Sequence, residues 1–362
     1  MEVRNGKILQ DQVLTGVVGS YPRPKYIFSG SGRELLDNLG MTFRDLEEKI
    51  GAEEFRERLD RAALMAIKDQ NLAGIDIITD GEMRRDHYVL YVLRGLEGFD
   101  FDKLKRKSIR GGIYVRDLPT IVGKIDYKNS ILSYDFEFTK KYADGISKIS
   151  LPGPSTVVDS VADGYYKEDT VEMAMDYSKA IRNEVKNLIE VGCRIIQFDD
   201  SVMLRYPEQA EEWGLDALHE SFRGFENKAT FITHICRGYP DKDLEEKGIP
   251  YKANEDNYGR VLSLLSQSNI DVISIEGAQS QLDLSVLPTA GEKTIMLGVL
   301  DVGSDKVETV ESLVKRGREA LQYLPKERLI LAPDCGMLEL SPTAAKQKLV
   351  NVAAAASILN EE

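Results

Sequence analysis

The chain has 362 residues, of which 42% are hydrophobic and 30% are charged, enough for one large β/α barrel or two ordinary globular domains. Its formal net charge of −13 argues against a nucleic-acid partner, because phosphate binding needs a basic surface. The apolar runs are much shorter than a membrane span, and the first residues lack the apolar segment of a signal peptide. We therefore expect a cytoplasmic protein without a membrane partner. In that reducing compartment, three cysteines predict metal ligands or core residues and no disulfide framework.

Apolar, β-branched runs recur along the chain and predict eight strands. Most of these runs are continuously apolar, which is typical of parallel strands covered on both faces. The predicted strands are Thr15–Gly19, Ile75–Thr79, Ser147–Leu151, Arg194–Phe198, Thr230–Thr233, Asp271–Ile275, Thr294–Leu300 and Arg328–Leu331.

Longer stretches with helical periodicity lie between several of these strands. The predicted helices are Glu53–Ala73, Thr170–Val191, Asp256–Ser268, Glu308–Tyr323 and Thr343–Leu359. The alternation predicts an α/β fold, an eight-stranded β/α (TIM) barrel formed by residues 1–362 as one domain. Its active site would lie at the C-terminal ends of the strands. A doubly wound open sheet is the alternative.

Two segments interrupt the alternation. Residues 103–142 are charged and aromatic, with alternating runs such as Ser133–Phe138, and they predict an antiparallel insertion between strands 2 and 3 of the barrel. Residues 237–257 contain two glycines and two prolines and predict a long loop, a kind of segment that often carries function.

Potential metal ligands follow three of the predicted strands. His234 and Cys236 are two residues apart, so in an extended segment their side chains point to the same side. Glu276 and Cys335 also stand where apolar runs end. One imidazole, two thiolates and one carboxylate form a ligand set suited to zinc. Buried cysteine and histidine side chains that only pack in the core would give the same residue types, so both readings stay open here.

Other polar residues follow the remaining strands. The segment Val18-Gly19-Ser20 would present backbone N–H groups, and Glu82 and Asp199 would present carboxylates. Two adjacent acids, Asp199 and Asp200, end an apolar strand, which costs desolvation unless they meet a cation or a donor. Cys193 has no motif around it and is interpreted as a packing residue.

The order of these motifs resembles the catalytic half of cobalamin-independent methionine synthase. The motifs are Val-Gly-Ser-Tyr-Pro, Asp-Gly-Glu, Gly-Pro-Ser-Thr, Gln-Phe-Asp-Asp, His-Ile-Cys, Ile-Glu-Gly-Ala and Pro-Asp-Cys-Gly. The resemblance extends from about Thr15 to the C-terminus and corresponds to a stand-alone, core form of the family. It implies a zinc-bearing β/α barrel that transfers a methyl group to the thiol of homocysteine.

The resemblance also implies a role for each candidate residue. His234, Cys236, Glu276 and Cys335 match the zinc ligands. Val18, Gly19 and Ser20 match the backbone segment that holds the homocysteine carboxylate. Glu82 and Asp199 match the acids that hold the amino group, and they are the predicted catalytic residues. A coordinated thiol is deprotonated and therefore nucleophilic.

Two departures from the family pattern concern the methyl donor. Ser160 stands where folate-using members carry a tryptophan, and Gly303 stands where the family has a proton-handling histidine. We therefore expect a methylcorrinoid, free or on its carrier protein, to be a better donor than methylfolate.

Several rival functions are open at the level of sequence. His-Ile-Cys and Ile-Glu-Gly-Ala also resemble epoxyalkane–coenzyme M transferases, which perform the same zinc–thiolate step on an epoxide. A zinc hydrolase is disfavoured for two reasons. The chain has only three histidines, and coordination by two thiolates would reduce the Lewis acidity of the zinc. A structural zinc site is disfavoured because such sites use closely spaced cysteine pairs.

Overall fold

The computed structural model describes residues 2–4, 7–30 and 41–362. Within these ranges the strands are β1 (Glu2–Arg4), β2 (Lys7–Leu9), β3 (Leu14–Thr15), β4 (Ile77–Ile78), β5 (Leu96–Ile109), β6 (Tyr114–Tyr127), β7 (Ile146–Ser147), β8 (Ile149–Pro152), β9 (Ala162–Asp163), β10 (Ile195–Asp199), β11 (Thr230–Ile235), β12 (Val272–Ile275), β13 (Thr294–Leu300) and β14 (Leu329–Pro333). Residues 1, 5, 6 and 31–40 of the predicted domain lie outside the described ranges.

The α-helices of the described part alternate with these strands. They are α1 (Met41–Ile50), α2 (Ala52–Ala73), α3 (Tyr88–Leu93), α4 (Ser133–Tyr142), α5 (Pro154–Ser160), α6 (Thr170–Glu190), α7 (Pro207–Gln209), α8 (Leu215–Glu220), α9 (Lys242–Glu246), α10 (Asn257–Ser266), α11 (Val310–Ala320) and α12 (Pro342–Glu361). The five helices predicted from periodicity are all present, with ends that differ by at most three residues.

Parallel strands form the centre of the molecule. In the described part, seven of them pair in the order β3-β14-β13-β12-β11-β10-β8. Beyond the two ends of this sheet, β4 pairs in parallel with β7, and Gly16 forms a single parallel bridge with Ile77. The α/β prediction is confirmed, and the sheet curls as in β/α barrels.

The apolar side chains of the sheet divide between its two faces. On β10, Ile195 contributes to a small cluster with Ile232, Val272 and Met296. The next residue, Ile196, belongs to the large cluster that also includes the helices. Successive side chains of a strand point to opposite faces, so the small cluster fills the concave side of the sheet and the large one lies beneath the helices. This packing fixes the strand ends on which the polar residues stand.

The segment predicted as an antiparallel insertion contains both strands and a helix. β5 and β6 pair as a long antiparallel hairpin that begins at Leu96, before the predicted start at Lys103. The β prediction for Ser133–Phe138 is wrong, because these residues lie in α4. Tyr134, Phe138 and Tyr142 are spaced by four residues, and their rings contact each other along one face of that helix.

Candidate metal and substrate site

The candidate residues stand at one edge of the parallel sheet. Asp199 ends β10, His234 lies within β11, and Cys236 follows it directly. Cys335 comes shortly after the end of β14. β11 is two residues longer than predicted, so His234 is held by the strand itself. The C-terminal ends of parallel strands meet at one edge, which explains why residues far apart in sequence come together.

His234, Cys236 and Cys335 form a compact group. One ligand atom from each lies within 4.8 Å of the others. His234 Nδ1 is 2.9 Å from Ser274 Oγ, which orients the ring, while the buried Nε2 has no hydrogen-bond partner among the described residues. A buried polar nitrogen without a partner is costly, and metal coordination is one way to satisfy it. Two cysteines and one histidine are a donor set that fits zinc.

The charges of this group also favour a cation. Interaction with the Cys335 thiol, together with His234, holds the pKa of Cys236 well below its usual range. The same interaction and burial raise the pKa of Cys335. Burial lowers the pKa of His234, but the influence of Cys236 and the charge of Asp199 together outweigh burial, and the net shift is upward. Cys236 is therefore the thiol of the pair that loses its proton more readily.

Glu276, the fourth predicted ligand, is buried beside this group and has other partners. Both of its carboxylate oxygens lie 3.3 Å from Lys252 Nζ, and Oε2 accepts a hydrogen bond from the Arg237 backbone N–H. Burial raises the pKa of Glu276 to about 7, and Lys252 opposes that shift. The structure thus brings together three of the predicted ligands and places Glu276 in an ion pair, so its role as a ligand stays a prediction.

The two predicted substrate acids, Glu82 and Asp199, line the same cavity as the metal group. Glu82 has a left-handed backbone conformation, with φ of 56°, and its Oε1 accepts a hydrogen bond of 2.7 Å from Ser150 Oγ. Asp199 Oδ1 accepts one of 2.6 Å from Gln197 Nε2. Burial and the charge of Glu82 raise the pKa of Asp199 to about 6. Two carboxylates that face the same buried cavity are suited to a cationic ligand.

The backbone segment Val18-Gly19-Ser20 lines the same cavity. A Cβ atom at Gly19 would lie 2.6 Å from Glu82 Oε1, so a larger residue would displace the acid from its present position. The Ser20 carbonyl accepts a hydrogen bond of 2.8 Å from the Met337 backbone N–H, which ties the segment to the loop after Cys335. The carboxylate-binding role of the segment remains a prediction.

The cavity that joins these groups has a volume of about 220 Å³. Its far wall comes from the hairpin, through Arg110 and Tyr114, and from the long loop, through Tyr239 and Tyr251. Arg110 pairs with Asp159. The predicted loop therefore does flank the site, although α9 lies within it.

Sequence reasoning missed four residues that shape the site. Lys148, Gln197 and Lys252 contact the candidate groups or their neighbours, and Asp334 accepts hydrogen bonds from the backbone N–H groups of Gly277, Ala278 and Gln279. Asp334 and Gln197 lie inside the motifs Pro-Asp-Cys-Gly and Gln-Phe-Asp-Asp, so the sequence could have identified them as site residues. Nothing in the sequence indicates that Lys148 and Lys252 are buried.

Comparison with known proteins decides the family. The family model described as "Cobalamin-independent synthase, Catalytic domain" matches residues 13–358. The chain belongs to this family. Its resemblance to cobalamin-independent methionine synthase is thereby confirmed, and the chain is a methyltransferase of the methionine synthase type.

Individual relatives agree with the family model. A methionine synthase from Saccharolobus solfataricus is 32% identical over 352 residues, which is 96% of this chain and 95% of the relative. One from Sulfolobus acidocaldarius is 32% identical, covering 96% and 92%. The structure of a B12-independent methionine synthase from Shewanella sp. W3-18-1, in complex with selenomethionine, has a TM-score of 0.85 at 29% identity, covering 97% of this chain and 98% of that one.

These relatives bear on the rival functions. All three carry the name methionine synthase, so the epoxyalkane–coenzyme M transferase alternative is not favoured. Among the described residues of this methionine synthase homologue, no helix is both long and apolar enough to cross a membrane.

Proposed function

We propose that this methionine synthase homologue is a zinc-dependent enzyme that methylates homocysteine to methionine. One observation carries the proposal: the group His234, Cys236 and Cys335 opens into the same cavity as the acid pair Glu82 and Asp199. A thiol-activating site thus stands beside a site for a positively charged group. Homocysteine, with a thiol and an ammonium on one short chain, matches both.

Four side chains would hold the zinc in this proposal: His234, Cys236, Cys335 and Glu276. The unpartnered His234 Nε2 and the close approach of the three ligand atoms support the first three. Glu276 would exchange its contact with Lys252 for the metal. When bound, zinc would hold the substrate sulfur as a thiolate, the nucleophilic form that is scarce for a free thiol near neutral pH.

The chain's own groups would orient the rest of the substrate. Glu82 and Asp199 would bind the ammonium, and each already has one oxygen fixed by a neighbouring side chain. The carboxylate would bind the backbone N–H groups of Val18, Gly19 and Ser20. Fixing both ends of the amino acid leaves its sulfur as the reactive end, pointed at the metal ligands.

The donor proposed for this site is a methylcorrinoid, free or on a carrier protein, in preference to methylfolate. Ser160 lines the cavity and offers no flat surface on which a pterin would stack. Tyr166, which would be one aromatic substitute, is buried, and its hydroxyl bonds with Ile125 and Asp176. At Gly303 the backbone N–H donates to Asp301, and glycine has no side chain of its own that could supply a proton.

The bridge from Gly16 to Ile77 and the β4–β7 ladder support an eight-stranded barrel, with the hairpin β5–β6 inserted between its second and third strands. The three free cysteines support a reducing compartment such as the cytoplasm, because oxidation would remove two metal ligands.

A parallel assay tests the function. Zinc-loaded protein and homocysteine are incubated with methylcobalamin, methylfolate or a simple methyl donor, and methionine is quantified. We expect methionine formation, fastest with the corrinoid. No methionine with any donor would overturn the proposal, and faster turnover with methylfolate would overturn the choice of donor.

A further inference from the structure

Lys148 is a buried lysine beneath the candidate substrate site. It lies between β7 and β8, and its side chain has no exposed surface. Its Nζ donates hydrogen bonds of 2.6 Å to the Val17 carbonyl and 2.8 Å to the Val18 carbonyl. A third bond goes to Gln197 Oε1. All three N–H groups of the ammonium are therefore used, and all three acceptors are neutral oxygens.

Such a burial is costly and calls for a compensating role. A charged ammonium withdrawn from water loses its hydration, and hydrogen bonds to neutral oxygens replace only part of it. Burial lowers the pKa of Lys148 to about 7, while Asp199 and Glu82 oppose that shift. Lys348 provides a contrast within the same chain, because it is equally buried and pairs with the carboxylate of Glu308.

The contacts of Lys148 fix the direction of the backbone segment. In a trans peptide, the C=O of one residue and the N–H of the next point to opposite sides. The carbonyls of Val17 and Val18 point to Lys148, so the N–H groups of Val18 and Gly19 point away from it. Val18 and Gly19 line the cavity. The lysine thereby turns these two donors toward the place where a substrate carboxylate would lie.

Gln197 connects Lys148 to Asp199, one acid of the pair. Its side-chain oxygen accepts from Lys148, while its Nε2 donates to the Val18 carbonyl at 2.9 Å and to Asp199 Oδ1 at 2.6 Å. An amide held at its oxygen cannot turn over without losing all three contacts. One connected network therefore reaches both the carboxylate-binding segment and an acid that would bind the ammonium.

We propose that Lys148 and Gln197 are positioning residues that make this cavity selective for a thiol bearing both an α-carboxylate and an α-ammonium. This inference rests on the proposed function, because it concerns how the same site recognises its thiol. A rigid network keeps the groups that would bind both ends of the amino acid in place before the ligand arrives. Binding therefore loses less conformational entropy.

Binding selectivity tests the proposal on the zinc-loaded protein. Dissociation constants are measured by calorimetry for homocysteine, for 4-mercaptobutanoate, which lacks the amino group, and for 3-aminopropane-1-thiol, which lacks the carboxylate. Lys148→Met keeps an unbranched side chain of nearly the same length and removes its donors. We expect the wild-type preference for homocysteine over both analogues to fall by a factor of ten or more in this variant, with unchanged zinc content.

Lys348→Met is the matched control, since it also removes a buried ammonium but lies outside the cavity. It should lower thermal stability and leave the preference for homocysteine intact. If Lys148→Met does not fold, Gln197→Met tests the same network and should also reduce the preference. A wild-type-like preference in a folded Lys148→Met or Gln197→Met variant would overturn the proposal.

The outcome for the wild-type protein separates this inference from the proposed function. Without any wild-type preference for homocysteine over 4-mercaptobutanoate, the proposed substrate itself would be wrong. With that preference present in the wild type and in the folded network variants, only the positioning role would be wrong.

Discussion

Removing one charge from the acid pair is the most direct test of how the substrate is recognised. Glu82→Gln and Asp199→Asn are nearly isosteric changes that keep an oxygen acceptor. The Ser150 hydroxyl can still donate to residue 82, and the Gln197 amide can still donate to residue 199. Each variant therefore removes a negative charge and leaves the local hydrogen bonds in place.

The size of the effect follows from the surroundings of the pair. Truncating one partner of a buried charge pair costs roughly 2–5 kcal/mol. Here the lower end applies, because the two acids repel each other and the loss of one relieves that repulsion. About 2 kcal/mol corresponds to an increase of roughly 30-fold in the dissociation constant for homocysteine.

The pKa of Asp199 predicts how the affinity for homocysteine should change with pH. Because the pKa of Asp199 is raised to about 6, this acid becomes neutral as the pH falls through 6, well above the ordinary range of an aspartate. Homocysteine should bind more weakly below pH 6 than at pH 8. In Glu82→Gln the repulsion is absent, so the midpoint of this loss should move to lower pH.

The assay is calorimetric titration of the zinc-loaded variants with homocysteine between pH 5 and pH 8. The same titration with 4-mercaptobutanoate is the control, because a ligand without an ammonium should respond little to either substitution. Unchanged homocysteine affinity in both variants, or an equal loss for both ligands, would refute the assignment of this pair to the amino group.

Three further predictions concern the metal and the donor. Cys335→Ser should lower zinc content and abolish transfer, while Cys193→Ser should do neither, because the buried Cys193 thiol only donates to a backbone carbonyl; metal analysis of both variants checks this. Ser274→Ala removes the partner of His234 Nδ1 and should weaken zinc binding by about 10- to 100-fold in a competition titration with a chelator. Methylcobalamin should support faster turnover than methylfolate in side-by-side kinetics, and the reverse order would contradict the expectation drawn from Ser160.

The strand ends were predictable because their chemistry departs from their surroundings. A polar or metal-binding residue that closes an apolar run is unusual, and such residues recur where β10, β11, β12 and β14 end. Parallel strands then bring these ends to one edge without further information. The grouping of His234, Cys236 and Cys335 follows from this rule.

The error at α4 has a physical cause. From Leu132 to Phe138 the apolar side chains alternate with polar ones, which is the pattern of a half-buried strand. The same residues place Tyr134, Phe138 and Tyr142 at the helical spacing, and Phe136 and Asp135 become buried against their neighbours. A short segment that satisfies both periods is decided by tertiary packing, which a single sequence does not reveal.

The buried lysines Lys148 and Lys252 were not predicted from the sequence, because a lysine in a strand or loop usually reaches solvent. Lys148 and Lys252 become buried only because the strand ends around them carry acids or inward-facing carbonyls. The partners of Lys148 include Val17, which is more than 100 residues away in sequence. Contacts over such separations depend on the closed arrangement of the sheet and leave no local pattern.

Lys148 and Lys252 place positive charge near the buried acids of the site. Lys252 pairs with Glu276 at the metal end, whereas Lys148 bonds only to neutral oxygens and acts on Asp199 and Glu82 through its charge alone. Buried acids without a cation would destabilise the fold, so a cation from the chain itself allows the protein to fold before any ligand binds. At the metal end, zinc would compete with Lys252 for Glu276, so its net affinity would be the difference between two interactions. Glu276 can therefore be kept buried at the metal end without a large penalty to stability.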